Sequence, residues 1–269
     1  MSVLLQISDP HFGTEQSPVV EALVSLAREQ QPDLVVLSGD ITQRATSEQF
    51  RAARRFMDRL GAPFLAIPGN HDIPLFDLST RLLNPYSRFQ RAFGKVLEPV
   101  YDSPDLLVLC VNTTRWYRHV NGEVSTAQID LVASALAQAS SRQLHVVVVH
   151  QPIAVMRAAD AHDRLRGFEL ALPLWSTAGC DIVMGGHIHL PYVKALPNLS
   201  RAMWAVQAGT SVSSRVRDGM PNSVNIVRCG TDAPDGCSHI EQWDYAAAFD
   251  AFVASTVTEI ALDRQTFAA

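Results

Sequence analysis

Five short apolar runs in this chain each stop at a cluster of carboxylate, amide or imidazole side chains, and that repeated ending constrains the fold more than any other feature. Val3 to Ile7 leads into Asp9-Pro10-His11, Leu34 to Leu37 into Gly39-Asp40, and Phe64 to Ile67 into Gly69-Asn70-His71-Asp72. His145 to Val149, rich in β-branched residues, ends in His150, and Ile182 to Met184 ends in Gly185-Gly186-His187-Ile188-His189. Runs of this length read as buried strands. In open α/β sheets, ligand sites form beyond the carboxyl ends of the strands. Five coincidences of that kind point to one shared site.

Between the strands lie segments of helical spacing, which gives α/β organisation. Pro18 to Glu29 carries Val20, Leu23, Val24 and Ala27 on one face, and Ser47 to Leu60 forms a second helix. From Asp77 to Phe93 the residues Leu82, Tyr86, Phe89 and Phe93 step by four, three and four, the core-facing side of a helix. Leu106 to Val111 is another strand, and Ser125 to Ala139 a helix with Ser125 or Thr126 placed to cap it. Beyond residue 190 the texture changes. Ala202 to Ala208, Ser223 to Arg228 and His239 to Trp243 read as strands joined by Gly/Pro/Asp turns, the second sheet of a sandwich, antiparallel or mixed. The tail from Asp244 to Ala269 is compatible with a helix, an extended edge or a flexible end. Without repeats, low-complexity tracts or linkers, residues 1–269 make one domain, with 244–269 as a candidate C-terminal extension.

Composition sets outer limits. At 47% apolar residues the chain can bury a sizeable core, and a net charge of −5 argues against a nucleic-acid binder that works by broad phosphate neutralisation. The apolar stretches are strand-sized, so no membrane span is expected. No signal peptide is recognisable, and cleaving one would remove the first strand and its ligand, so the cytoplasm is the default location. Cys110 and Cys180 sit in or beside apolar runs as buried thiols, while Cys229 and Cys237 flank a loop and face each other across a hairpin, where a cytosolic disulfide is not expected.

The polar endings form a coherent donor set. Asp9, His11, Asp40, Asn70, His150, His187 and His189 offer nitrogen and oxygen ligands suited to Mn, Fe, Zn or Co and not to a thiolate-selected metal. Seven ligands exceed one tetrahedral site but suit two divalent ions that share a carboxylate. Alternation sends Asp9 and His11 to one side, and likewise His187 and His189. Glycines before Asp40, Asn70 and His187 permit close approach. Two divalent ions, two aspartates and a bridging hydroxide leave a residual of about +1, a match for one anionic phosphoryl group.

The series Asp9-x-His11, Gly39-Asp40, Gly69-Asn70-His71-Asp72, His150 and Gly186-His187-x-His189 resembles the calcineurin-like metallophosphoesterase superfamily, with every block present between residues 9 and 189. Chain length and the style of Gly39-Asp40-Ile41-Thr42 are most similar to its compact bacterial members, which include cyclic-nucleotide and glycerophosphodiester phosphodiesterases. The resemblance implies a four-layer αββα sandwich of two mixed β-sheets with a dinuclear metal site at the carboxyl ends of the strands. It implies one metal on Asp9, His11, Asp40 and His189, and another on Asp40, Asn70, His150 and His187. It further implies in-line attack by a metal-bridging hydroxide, with His71 stabilising the transition state or protonating the leaving oxygen and Asp72 orienting His71. The expected activity is hydrolysis of small phosphodiesters. A phosphomonoesterase or nucleotide pyrophosphatase on the same site is the alternative, a nuclease fits the acidic chain less well, and a metal-free scaffold would be expected to have lost ligands.

Three further residues stand near the motifs. Arg44 reads either as a bidentate fork for a substrate phosphate or as a first-turn surface charge. Tyr117 and His119 lie in the loop 112–119, where aromatics, arginines and a histidine suit substrate contact, against the alternative of one aromatic anchor among solvated arginines. His145, His162 and His239 receive no role. The tail after Asp244 offers a homo-oligomer contact.

Overall fold

Side-chain alternation along the first strand sets the layering of the molecule. The computed structural model describes residues 2–118, 120–230 and 237–263, the last range without the Cys237 side chain. In β1 (Ser2–Ile7), Leu5 and Ile7 enter a core shared with α1 (Ser17–Gln30) and α2 (Ser47–Leu60), while Leu4 enters a second core on the opposite face. β2 (Leu34–Ser38) repeats the division, with Val35 and Leu37 to the helices and Leu34 and Val36 to the other face. That second core is filled from across by Val108 of β5 (Leu106–Cys110), Val146 and Val148 of β6 (Leu144–Val148), and Met184 of β7 (Ile182–Gly185). Their outward residues Leu107, Leu109, Val147 and Val183 meet α5 (Thr126–Gln138) and α6 (Phe168–Ala178) in a third core. Period-two patterning thus yields the expected order helix, sheet, sheet, helix.

One sheet has the order β12-β11-β10-β1-β2-β3, the other β4-β5-β6-β7-β9-β8. Here β3 is Phe64–Ile67, β4 Val100–Asp102, β8 Tyr192–Ala195, β9 Trp204–Gln207, β10 Ser223–Cys229, β11 Cys237–Ala246 and β12 Ala251–Ala261. β1, β2 and β3 are parallel, as are β5, β6, β7 and β9, so the motif-bearing strands present their carboxyl ends together. The strands after residue 190 do not build a sheet of their own, contrary to the sequence expectation. β9 adds parallel to β7, whereas β10 pairs antiparallel with β1 and covers what would be an open edge. Apolar patterning marks a strand but not its partner.

Other expectations also shift. The segment 77–93 forms two helices, α3 (Leu78–Leu83) and α4 (Ser87–Phe93), because Pro85 disfavours helical geometry at Asn84, which takes φ −155°. Of the stripe, Phe89 is buried and Leu82 is exposed. The tail is extended: β11 and β12 form an edge hairpin, and the end of the chain past residue 263 lies outside the described residues. The Cys229–Cys237 expectation rests on a side chain outside the described residues, while Cys110 and Cys180 are buried as read. No helix among the described residues is long and apolar enough to cross a membrane.

Beneath the strand ends a buried polar network ties the sheets together. Gln6 Nε2 of β1 donates to Gly185 O of β7 (3.0 Å) and accepts at Oε1 from Asn225 Nδ2 (3.0 Å). Asn225 Nδ2 also donates to Gln207 O (3.2 Å), and Gln207 Nε2 donates to Gly186 O. Buried amides that satisfy one another fix a unique register, and here that register carries the site.

Candidate metal centre

Three of the five motifs leave their strands through left-handed backbone. Asp9, His11, Asp40, His187 and His189 all occupy the left-handed region, with φ of 50°, 41°, 48°, 74° and 55°. Such conformations in non-glycine residues persist only where surroundings over-determine them, and they gather at functional sites. The loops supply that determination to one another. Asp9 N donates to Gly39 O (3.1 Å), His11 N to Asp40 O (3.1 Å), Gly186 N to His150 O (2.8 Å) and His187 N to Asp9 Oδ2 (3.0 Å).

Three groups of ligand atoms result, each drawn together within 4.8 Å: Asp9, His11 and His189; His11, Asp40 and His71; Asp40, His150 and His187. They interlock through His11 and Asp40. His189 Nε2 stands 3.3 Å from Asp9 Oδ1 and 3.2 Å from His11 Nε2. His150 Nε2 stands 3.3 Å from Asp40 Oδ1 and 3.2 Å from Asn70 Oδ1. The structure therefore brings all seven sequence-read ligands into one cluster, buried but for the rims of His187 and His189.

The donor chemistry fits divalent cations. His150 Nδ1 pairs with Ser38 O (2.9 Å) and His189 Nδ1 with Arg215 O (2.5 Å), so each Nδ1 carries its proton and each Nε2 faces the cluster. Among the described residues, His11 Nδ1 and His187 Nδ1 are buried without a hydrogen-bond partner, which is costly unless a cation draws on the ring. Burial pushes His11 down to about 3, against the pull of Asp40 and Asp9, so its imidazole is neutral. Burial also opposes ionisation of Asp9, yet the hydrogen bond and charge of His189 bring its carboxyl to about 2. Burial opposes ionisation of Asp40 as well, yet His150, with His71 and His11, holds its carboxyl well below the usual carboxylate range. Conversely, Asp40 overcomes burial to hold His150 up at about 9. Two ionised carboxylates that need positive charge, ringed by imidazoles, are what divalent cations satisfy.

Asp72 takes partners other than the His71 ring that the sequence suggested. Asp72 does not reach the His71 ring. Its Oδ2 accepts from Ile41 N (3.0 Å) and Gly69 N (2.8 Å), and its Oδ1 from Thr42 N and Thr42 Oγ1 (both 2.8 Å). Burial and Asp40 raise its carboxyl to about 6, leaving it ionised at neutral pH to accept those four donors. Asp72 thus clamps the loop that holds Asp40 to the loop that holds Asn70. His71 N donates to Asp40 Oδ1 (2.8 Å), its Nδ1 faces Gln43 O (3.1 Å), and its Nε2 lies 3.3 Å from Arg215 Nη1.

Arg215 had no sequence signal, since the loop between β9 and β10 returns to the site only in three dimensions. Asp163, 3.8 Å from His187 Nε2, is likewise invisible in the motifs. Arg44 is exposed with its guanidinium over the Phe76 ring, 5.8 Å from the centroid. Tyr117 donates to Glu123 Oε1 (2.5 Å) within its own loop and joins none of the ligand groups, and His119 lies outside the described residues. His145 pairs with Gly179 O and Ser140 O, a structural histidine.

Known structures share this architecture. A purple acid phosphatase from yellow lupin (Lupinus luteus) seeds, 12% identical, superposes with a TM-score of 0.69 over 97% of this chain and 53% of its own. The chain is a metal-dependent phosphoesterase that draws on divalent cations. The chain belongs to the calcineurin-like phosphoesterase family, whose sequence profile matches residues 2–191. Among its relatives, a probable cyclic nucleotide phosphodiesterase from Synechococcus is 25% identical over 71% of this chain and 74% of that protein. A probable glycerophosphodiester phosphodiesterase from Arcobacter nitrofigilis is 45% identical over 26% of this chain and 30% of that protein.

Proposed function

We propose that this protein hydrolyses small phosphodiesters, cyclic nucleotides or glycerophosphodiesters, with two divalent ions that share Asp40. The observation that carries the reading is the interlocking of the ligand groups: Asp9, His11 and His189 on one side, Asp40, His150 and His187 on the other, joined through His11 and Asp40. One ion would rest on Asp9, His11, Asp40 and His189, the other on Asp40, Asn70, His150 and His187. Bound divalent ions polarise phosphoryl oxygens and lower the pKa of a nearby water.

The chain's own groups then have distinct tasks. Asp40 Oδ1 accepts from the His71 amide and stands 3.3 Å from His150 Nε2, while its Oδ2 stands 3.8 Å from His11 Nε2, so its two oxygens meet different imidazoles of the cluster. His71 presents a ring nitrogen beside His11 and Asp40, where it can hold or pass a proton at the leaving oxygen. Arg215 sets a permanent positive charge against that ring, suited to an anionic phosphoryl group. Diester preference is supported by the small positive residual of the donor set and by the names of the two relatives.

The direct test is hydrolysis of bis-p-nitrophenyl phosphate and p-nitrophenyl phosphate, side by side, after chelation and after manganese is returned. We expect activity to vanish and return, with the diester favoured. A monoester preference would keep the metal site and overturn the substrate class. Full activity after complete chelation would overturn the metal reading.

A further inference from the structure

A cavity of about 180 Å³ lies beside Asn70 and His71, and Gln43, Arg44, Ile73, Leu75 and Phe76 complete its lining. Phe76 is 76% exposed and Leu75 40%. Large apolar side chains left in water beside a polar site mark a binding surface. Their exposure is not that of a loose segment. Asp77, next to Phe76, accepts from Thr80 N (3.1 Å), Thr80 Oγ1 (2.7 Å), Ser79 Oγ (2.8 Å) and Arg88 Nη2 (2.6 Å). Arg88 Nη1 in turn donates to Ala45 O (3.1 Å), adjacent to Arg44. The two chain segments that line the cavity are therefore tied together through Arg88. The Arg44 guanidinium rests over the Phe76 ring, and its main-chain N–H is fixed on Gln49 Oε1 (2.9 Å). A flat aromatic face and a fork of N–H donors thus border one cavity that His71 also lines.

We propose that this cavity receives the nucleobase of a nucleotide substrate, stacked against Phe76 with Arg44 donating to acceptor atoms on the base edge. The inference rests on the phosphoesterase reading, which places the phosphate at the Asn70 and His71 end, and it narrows the substrate class to nucleoside phosphodiesters. Every base offers a π face for stacking and carbonyl or ring-nitrogen acceptors for a guanidinium. A glycerol substituent offers neither, and would leave Leu75 and Phe76 in water. Distance from phosphorus decides the division of labour: the polar residues grip what all substrates share, and the apolar wall reads what differs.

The test uses the manganese-loaded full chain and two matched pairs of substrates. Thymidine 5′-p-nitrophenyl phosphate against methyl p-nitrophenyl phosphate forms the diester pair. Thymidine 5′-monophosphate against methyl phosphate, followed by phosphate release, forms the monoester pair. We expect kcat/KM to favour the nucleoside within the diester pair, with most of the preference in KM. Phe76→Ala and Arg44→Ala should each reduce the nucleoside-over-methyl ratio about five- to tenfold, the range that stacking of one base supports. Phe76→Tyr, which keeps the ring, should preserve the ratio. Phe76 is exposed, so its truncation removes no core. No nucleoside preference in the wild type, or a preference that survives Phe76→Ala, overturns the proposal. Hydrolysis confined to the monoester pair would instead overturn the diester reading. The base pocket would then stand or fall on the same Phe76-dependent ratio within that pair.

Discussion

At the scale of single residues, the strongest constraint is charge. Asp9 and Asp40 are buried carboxylates held ionised by His189 and His150, so in metal-free protein protons on those rings supply the positive charge the aspartates require. A metal ion that takes the Nε2 lone pair of His150 must displace its proton. His150 titrates at about 9 in the folded chain, raised by Asp40 despite burial, and a free histidine titrates near 6.5. Folded metal-free protein therefore carries that proton at neutral pH and loses it as pH rises through about 9. We expect metal binding at pH 7 to release about one proton from His150, with a further contribution from His189, which is raised as well. Release should fade above about pH 10, once His150 is already neutral. Calorimetric titration in buffers of different ionisation enthalpy counts those protons. A count near zero at pH 7 would mean that His150 is not displaced by metal. The residues that gather in the cluster were legible because each follows an apolar run within a few positions. Arg215 and Asp163 were not, because nothing local distinguishes an arginine or aspartate in a loop that returns to the site from one that stays in solvent.

At the scale of elements, the motif loops work because two of them touch where a side chain would not fit. A Cβ on Gly186 would collide with Ser8 Oγ and with Asp9 Oδ2, the pair joined by a 2.6 Å hydrogen bond. The loop after β7 thus packs directly on the loop after β1, across the gap between sheets. Gly186→Ala should leave every ligand in the sequence yet weaken metal affinity about 10- to 100-fold, the usual cost of disturbing groups that orient ligands. Competition against a chromogenic chelator measures this, and wild-type affinity in the variant would show that the close contact does not set ligand geometry. The parallel strands and their helices were readable from period and punctuation, since each alternation is local. α6 was missed: Pro173 lies inside it and its residues are apolar on several faces, so neither caps nor a stripe marked it. Its burial of Trp175, whose Nε1 donates to Ile129 O (3.2 Å), compensates. The partition of β9 and β10 between sheets was unreadable for a different reason. Both strands carry apolar residues toward a core, and pairing is decided by which open edge, that of β7 or that of β1, each one can reach.

At the scale of the whole molecule, the site is a clasp between two sheets. Asp9, His11, Asp40 and Asn70 follow strands of one sheet, and His150, His187 and His189 follow strands of the other. Ions held, as proposed, by residues of both sheets would have to be released before the layers separate, so metal binding would add directly to global stability. One ion at a hundredfold excess over its dissociation constant contributes about 2.7 kcal/mol. For a domain of this size that raises the melting temperature by about 5–10 °C. Manganese added to chelated protein should therefore shift thermal unfolding upward by at least that much. Asp40→Ala should lose most of the shift, because in the proposed assignment the same carboxylate would serve both ions. His71→Ala separates stability from chemistry: its ring lies beside the cluster but is not assigned as a ligand, so the shift should persist while turnover falls about 10²- to 10⁴-fold. Calorimetry with and without manganese on the three proteins decides the matter. An undiminished shift in Asp40→Ala would place the stabilising ion elsewhere, and loss of the shift in His71→Ala would move His71 from proton handling to the metal itself.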